Sequence, residues 1–431
     1  MSLIRPINKT VDTGLGIVTN YFGSKIDLYG AQAEKAVKEI SDRACQEGQM
    51  LKFLSLPEGQ LKRLDELYLL AAKFKQNTKA KFLTVLGIGG SKHPVMHMLS
   101  VNGYNIDKSV KFYSDIDTVS KNRFLKELGG DVRNSNYLVV SKSGKTFEVK
   151  DALSHVEGDL IKAYVDDGYS GEAARAAAAK HFVAVTDKEK GDLGPHAIKN
   201  KWLGKLLIHD DVGGRFSAFD DHTLFTLAYA GMPRNDMVRM LNAANKMTEL
   251  SLDPNLSKND ALSQAFHWVL GREAKHENSV HHYIGSEFRD TIDFHTQMEY
   301  ESVKIPYKQI SLSPEAMHHS AEMHFNKKVL KYTSAITSPM DEGIAKAVVN
   351  KYTNALNTSY SDIGPHFNEM VEVGELGLTP EAAGALTQSR ALSTVFQEVV
   401  ADVRSTTKVI KDRLKSVFQD NVEEYKKNLR D

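Results

Sequence analysis

The chain has 431 residues, enough at ~150 residues per domain for two or three compact units. Lys plus Arg and Asp plus Glu both number 55, so the formal net charge is zero, which removes the electrostatic footprint of a nucleic-acid binder or of a protein lying on anionic lipid. A hydrophobic content of 41% with 26% charged residues excludes disordered and fibrous classes, the lone Cys45 excludes a disulfide framework or a cysteine-based zinc site, and no apolar run approaches the ~18 residues of a membrane span. The opening stretch MSLIRPINKTVDTG lacks a secretory core, so a soluble cytoplasmic protein is expected.

The first 75 or so residues read as helical. Ala33, Val37, Ile40 and Ala44 recur at helical spacing, and Leu61, Leu64, Leu67 and Ala71 do so after the break at Leu56-Pro57. This segment, residues 1–78, is taken as a packing layer without chemistry, with Cys45 as a buried inert thiol. From Ala80 the period changes. Short apolar runs at Phe82–Ile88, Val110–Ser114, Tyr137–Val140 and Phe182–Thr186 alternate with helical stretches from His93, from Thr118 to Leu128, and after Thr146. Such alternation predicts a parallel sheet covered on both faces, in a first lobe spanning 79–205. Ligands of such sheets bind at the carboxyl ends of strands, where strand order switches.

A second alternation, residues 206–407, contains strand-like runs at Leu206–Ile208, Val280–Ile284, Ile310–Leu312 and Val329–Ile336, with helices over Asn235–Leu250 and Ala261–Lys275. Thr379-Pro380-Glu381 combines an N-cap, a proline at the first helical position and an acidic first turn, which predicts a long helix toward Val403. A short tail, 408–431, reads as helical. The fold class expected is therefore α/β, with two doubly wound lobes on parallel sheets and helical segments at both ends.

Two loops after predicted strands carry phosphate chemistry. In Gly87-Ile88-Gly89-Gly90-Ser91 the glycines let the backbone approach a ligand, and Ser91 offers a hydroxyl near the next helix start. A dinucleotide fingerprint would require glycine where Lys92 stands. The second loop, Ser141-Lys142-Ser143-Gly144-Lys145-Thr146, supplies three hydroxyls and a helix N-terminus, a set suited to a phosphate monoester. A nucleotide P-loop would need glycine at Val139, so that reading is rejected.

With GIGGS at 87–91, SKSGKTFE at 141–148, VGGRFS at 212–217, QMEYES at 297–302 and FQDNVEEYKKN at 418–428, the chain resembles the phosphoglucose isomerase family, in its shorter bacterial branch. The resemblance runs in order from about residue 80 to the end. It implies two sugar-isomerase-type lobes, a hexose 6-phosphate substrate held in the crevice between them by Gly90, Ser91, Ser141, Lys142, Ser143 and Thr146, no cofactor and no metal. The implied reaction interconverts glucose 6-phosphate and fructose 6-phosphate, a step of glycolysis and gluconeogenesis. An isomerisation through an enediol needs a base near two adjacent carbons, a cation near the developing oxyanion and an acid–base group for ring opening.

By resemblance Glu301 is the base and Gln297, four residues earlier, faces the substrate; Glu299 is the local competitor. Val303-Lys304 replaces a family stretch of three residues containing glycine, which shortens that loop by one. Arg215, after Val212-Gly213-Gly214, stabilises the enediolate with a guanidinium that keeps its charge. Glu148 matches a glutamate that supports the active-site network. Ring opening falls to His318 or His319, the short branch pointing to His319 and the longer branch to His318, and in the family this histidine comes from the partner of a homodimer. Gln419 and Lys426 are spaced as the family's glutamine and lysine, with Lys427 adjacent, so that the tail completes the site. Two other readings stay open: a non-catalytic sugar-phosphate sensor, and an isomerase with altered preference such as mannose 6-phosphate. His276-Glu277 followed by His281 and His282 misses zinc-protease spacing by one residue. His93, His97, His318, His319 and His324 are taken as surface or pocket residues rather than ligands.

Overall fold

Runs of buried β-branched and aromatic side chains decide where the strands lie. The structure, a computed structural model, describes residues 7–22, 26–46, 48–104, 108–115, 117–273, 278–303, 307–312, 331–337, 369–373 and 378–404. In chain order, strands β1 (Ile7–Asp12) and β2 (Ile17–Phe22) precede helices α1 (Gly30–Ala44), α2 (Leu56–Leu61) and α3 (Leu64–Asn77). The alternation that follows is β3 (Phe82–Leu86), α4 (His93–Val101), β4 (Val110–Phe112), α5 (Thr118–Glu127), β5 (Ser135–Val140), α6 (Phe147–Asp166), α7 (Gly171–Ala179), β6 (Phe182–Thr186), α8 (Leu193–Lys199) and β7 (Gly204–Leu207). Helices α9 (Asp221–Ala230), α10 (Arg234–Ser251) and α11 (Asp260–Glu273) lead to β8 (Asn278–Ile284), α12 (Thr291–Ser302), β9 (Tyr307–Leu312), β10 (Lys331–Thr337), β11 (Glu369–Val373) and α13 (Pro380–Arg404). The chain divides into two compact units, Ser55–Val238 on one hand, and Met1–Leu54 with Arg239–Asp431 on the other.

The unit Ser55–Val238 is built on a five-stranded sheet in the order β4-β3-β5-β6-β7, every pair parallel. Every residue of β5 and β6 is buried, as a sheet covered on both faces requires. On one face Tyr137 and Val139 pack with Val149, Val156 and Leu160 of α6, while Phe182 stacks on Trp202 with ring centroids 4.8 Å apart. On the other face Asn136 donates to the Phe74 carbonyl of α3 and bonds the Tyr229 hydroxyl of α9, so a buried amide is satisfied by two helices. After β3 the chain moves outward to β4 and then returns to the opposite side of β3 as β5. Strand order therefore switches between β3 and β5, and the two glycine- and serine-rich loops leave from these two strands.

The second unit carries a six-stranded sheet ordered β1-β2-β11-β10-β8-β9. Its β11-β10-β8-β9 portion is parallel, and β1 and β2 add an antiparallel hairpin at one edge. The helical reading of the N-terminus is corrected here. Val11, Ile17, Thr19 and Tyr21 are buried while Thr10, Asp12 and Val18 are not, a period of two, and the Asp12 carboxylate accepts the Gly14 N–H to turn the chain. A second correction concerns Leu206–Ile208. That run does not open a second alternation: Gly204–Leu207 pairs with β6 and closes the first sheet. Cys45 is exposed rather than buried, because it caps the end of α1 beyond the buried stripe Ala33, Ala36, Val37 and Ile40. His97 belongs to the core of α4 rather than to a surface or pocket, and burial pushes its imidazole down to about 3.

The Thr379 N-cap is present, its hydroxyl accepting the Ala382 N–H, and α13 runs to Arg404 with every side chain from Ala382 to Ala401 buried. A helix covered all round is the centre of its unit, and its polar residues must find partners inside it. Among the described residues no helix is long and apolar enough to cross a membrane.

Candidate active site

In the loop after β5, polar side chains fold back onto their own backbone. Ser141 Oγ accepts the Gly144 N–H at 3.1 Å, Ser143 Oγ accepts the Lys145 N–H at 3.1 Å, and Ser141 Oγ lies 3.4 Å from Thr146 Oγ1. A hydroxyl that accepts from an amide keeps its own proton for another acceptor, and a phosphate oxygen is a suitable one. Thr146 is the N-cap of α6, and the first intrahelical bond runs from Lys150 N to Thr146 O. The amides of Phe147, Glu148 and Val149 therefore precede the helical ladder at the positive end of the helix dipole. Gly144 takes φ +66°, and a Cβ there would lie 2.5 Å from Leu193 N, so the loop is pressed against the start of α8. The Asp192 N–H holds the Ser143 carbonyl at 3.0 Å, and Thr186 Oγ1 holds the Lys142 carbonyl at 3.1 Å. Lys142 itself is exposed, its Nζ 3.7 Å from Asp210. Glu148 stands in the first turn of α6.

The loop after β3 meets the arginine loop directly. Gly89–Ser91 forms one tight turn and Gly214–Phe216 another. A Cβ on Gly90 would fall 2.4 Å from the Gly214 carbonyl carbon, so the two backbones touch and no side chain fits between them. Ser217 Oγ lies 3.0 Å from the Gly90 carbonyl and 2.5 Å from that of Gly214, which ties the two turns together. Through this contact Gly90, Ser91 and Arg215 belong to one constellation. Arg215 is buried, with its guanidinium 4.8 Å from the centre of the Phe216 ring. A desolvated, permanently charged guanidinium beside the switch point is suited to an anion that forms there.

Below the same loop is a cluster that the sequence reading missed. His209 Nδ1 pairs with Asp220 Oδ1 at 2.6 Å, and ligand atoms of His209, Asp220 and Asp221 lie within 4.8 Å of one another. Asp221 accepts from Arg63 Nη1 at 2.7 Å, Gln60 Nε2 at 2.8 Å and Leu207 N at 3.0 Å, while Asp220 also accepts the His209 and Asp221 amides. These carboxylates are already saturated with donors, an arrangement of a hydrogen-bonded network rather than of a metal centre. Its members sit at 60, 63, 209, 220 and 221, and their spacing carries no motif.

In the other unit, α12 carries the glutamates at 299 and 301. Gln297 Nε2 donates to Glu301 Oε1 at 3.0 Å across one helical turn, and Glu301 is half-buried in the last turn. Glu299 points elsewhere. Its Oε1 accepts from Thr394 Oγ1 at 3.2 Å and from Gln397 Nε2 at 3.3 Å, both on α13, and its Oε2 is buried without a bond partner. Burial pushes the Glu299 carboxyl up to about 7 against the opposing effect of those two bonds and of Arg390. The two competing glutamates thus have different surroundings, one packed on a buried helix and one at the helix end. His318, His319, Gln419, Lys426 and Lys427 lie outside the described residues, as do His324, His276 and Glu277.

Comparison with known proteins places these loops in context. Residues 60–282, more than half of the chain, match the family model described as phosphoglucose isomerase. The chain is 30% identical over 237 residues to a glucose-6-phosphate isomerase of Mycoplasmoides gallisepticum, covering 54% of this chain and 49% of that one. It is 32% identical over 206 residues to a glucose-6-phosphate isomerase of Acetivibrio thermocellus, covering 45% and 42%. The chain thus spans about half the length of the curated relatives it matches. Among solved structures, a glucose-6-phosphate isomerase from Chlamydia trachomatis superposes with a TM-score of 0.75 at 18% identity, covering 98% of this chain and 89% of the other. A hypothetical protein from Thermus thermophilus superposes with a TM-score of 0.73 at 20% identity, covering 94% and 95%. These likenesses show that the described residues have the sugar-isomerase fold. With the matched model covering more than half of the chain, including both glycine- and serine-rich loops and the arginine loop, the chain belongs to the phosphoglucose isomerase family.

Proposed function

We propose that the protein interconverts glucose 6-phosphate and fructose 6-phosphate by proton transfer through a cis-enediol. The observation that carries this reading is that two glycine- and serine-rich loops leave the adjacent strands β3 and β5, and that the first of them touches, through Gly90 and Gly214, the turn that holds the buried Arg215. The hydroxyls of Ser141, Ser143 and Thr146, the first amides of α6 and Ser91 bind the dianionic phosphate, with Lys142 adding charge from the rim. That end of the substrate is held while the chemistry takes place at C1 and C2. Arg215 offsets the negative charge that develops on the enediolate oxygen.

Glu301 takes the proton from one carbon and returns it to its neighbour, its carboxylate oriented by Gln297. Glu148 supports the network at the phosphate end. Ring opening uses His319, or His318, from the partner of a homodimer, with Lys426 and Gln419 at the ring oxygen. The protein acts in the cytoplasm on a hexose 6-phosphate and needs no cofactor or metal for this step. A coupled assay in both directions tests the proposal, together with Glu301→Gln. That variant should keep its fold and its affinity for sugar phosphate while turnover falls ~10³-fold or more. Binding of sugar phosphate without any turnover by the unaltered protein would identify a sensor instead, and near-normal turnover by Glu301→Gln would refute the base.

A further inference from the structure

We propose that His209 and Asp220 form a clasp across the base of the arginine loop and act as positioning residues that set the Arg215 guanidinium; this rests on the isomerase reading above. His209 follows β7 and Asp220 is the N-cap of α9, so the two flank residues 210–219. The side chains meet at 2.6 Å, and the His209 N–H reaches Asp220 Oδ2 at 3.3 Å, a two-point closure of the loop ends. Asp221 repeats the closure one step further out, joining Leu207 N of β7 to the start of α9 while anchoring Gln60 and Arg63. Both carboxylates are completely buried. Within the loop, Phe216 N bonds the Gly213 carbonyl, Ser217 N bonds that of Gly214 and Thr223 Oγ1 bonds that of Ser217, so the turn that carries Arg215 is hydrogen-bonded to the start of α9.

The clasp is ionic. Burial lowers the pKa of His209, but the hydrogen bond and charge of Asp220 and the charge of Asp221 outweigh both burial and the opposing Arg63, leaving it raised. Asp210 and Asp211 follow His209 in the chain, and Lys142 lies 3.7 Å from Asp210. The charged clasp is therefore present below the raised pKa and weakens as pH rises through it. A neutral imidazole keeps a hydrogen bond to Asp220 but loses the charge assistance that makes the contact short and rigid.

The test uses the full chain, with His209→Gln and Asp220→Asn beside the unaltered protein. Three quantities are read: kcat and KM from about pH 6 to about pH 9, thermal midpoints, and calorimetric affinity for two probes. One probe is inorganic phosphate, which uses the serine loops alone. The other is a five-carbon aldonic acid phosphate, whose carboxylate mimics the enediolate and needs Arg215. Expected for both variants are a kcat lower by about tenfold, KM and inorganic-phosphate affinity within about twofold, and affinity for the acid phosphate lower by about tenfold. A fall of kcat on the alkaline side is expected in the unaltered protein and should be missing in His209→Gln. Unchanged kcat, acid-phosphate affinity and pH profile in a folded variant would overturn the clasp, as would equal losses for both probes. If one variant fails to fold, the other decides. Should the unaltered protein lack isomerase activity, the reaction assigned above fails, while the contrast between the two probes still judges the clasp.

Discussion

Replacing Glu299 by glutamine isolates a single buried proton. The Glu299 carboxyl is held at about 7 against an ordinary 4.5, chiefly by burial, and its Oε2 is buried without a bond partner. Between these two values the folded chain binds a proton at residue 299 that the unfolded chain has released. Stability contributed by the site is therefore complete below pH 4.5 and is lost as pH rises through about 7. At ~1.4 kcal/mol per unit over about 2.5 units, the loss reaches about 3 kcal/mol by pH 8.5. Glutamine keeps the neutral shape, still accepts from Thr394 and Gln397, and does not titrate in this range. Relative to the unaltered protein, Glu299→Gln should gain about 3 kcal/mol between about pH 4.5 and about pH 8.5, or roughly 6–10 °C in thermal midpoint for a unit of this size. Calorimetric melts across that range measure it. Midpoints of the two proteins that run parallel from acid to alkaline pH would refute the argument, as would a variant less stable at the alkaline end. Turnover should not follow the same pattern, because residue 299 faces α13 whereas Glu301 ends α12.

The remaining predictions concern backbone contacts. Gly90→Ala places a methyl 2.4 Å from the Gly214 carbonyl carbon, so the arginine loop must move. A destabilisation of about 1–3 kcal/mol is expected, with a larger fall in kcat than in phosphate affinity, read by denaturant melts and steady-state kinetics. Gly144→Ala adds a side chain at φ +66° within 2.5 Å of Leu193 N. It should raise KM and weaken inorganic-phosphate binding by at least about tenfold, since the hydroxyls and the α6 amides can no longer converge. Titration with inorganic phosphate checks this, and unaltered affinity would separate the serine loop from phosphate binding.

Much of the first sheet was legible because its signals are local. The buried runs of β3, β5 and β6, the Thr118 and Thr146 helix starts and the Thr379 cap each lie within a few residues, where side-chain pattern and backbone preference act directly. The loops after β3 and β5 could be read the same way, since hydroxyls, glycines and a helix N-terminus are consecutive in the chain. The N-terminal strands were legible in principle through the alternation of Val11 and of Ile17, Thr19 and Tyr21, but stronger helical periods downstream obscured it. The burial of His97 and the exposure of Cys45 depend on how far each helix face is covered, which neighbours decide.

What the amino-acid order determined alone is therefore the α/β alternation and the glycine- and hydroxyl-rich make-up of the loops after β3 and β5. Tertiary structure alone decided the partners. It joined β2 to β11 across most of the chain, attached β7 to the first sheet, pressed Gly90 on Gly214, gathered Gln60, Arg63, His209, Asp220 and Asp221, and turned Glu299 away from Glu301 toward α13. The physical reason is that a strand edge, a buried carboxylate or a bare glycine backbone states a need for a donor, a charge or a close neighbour without specifying which distant residue meets it. That choice is made when the whole chain packs, by the arrangement that satisfies all such needs together.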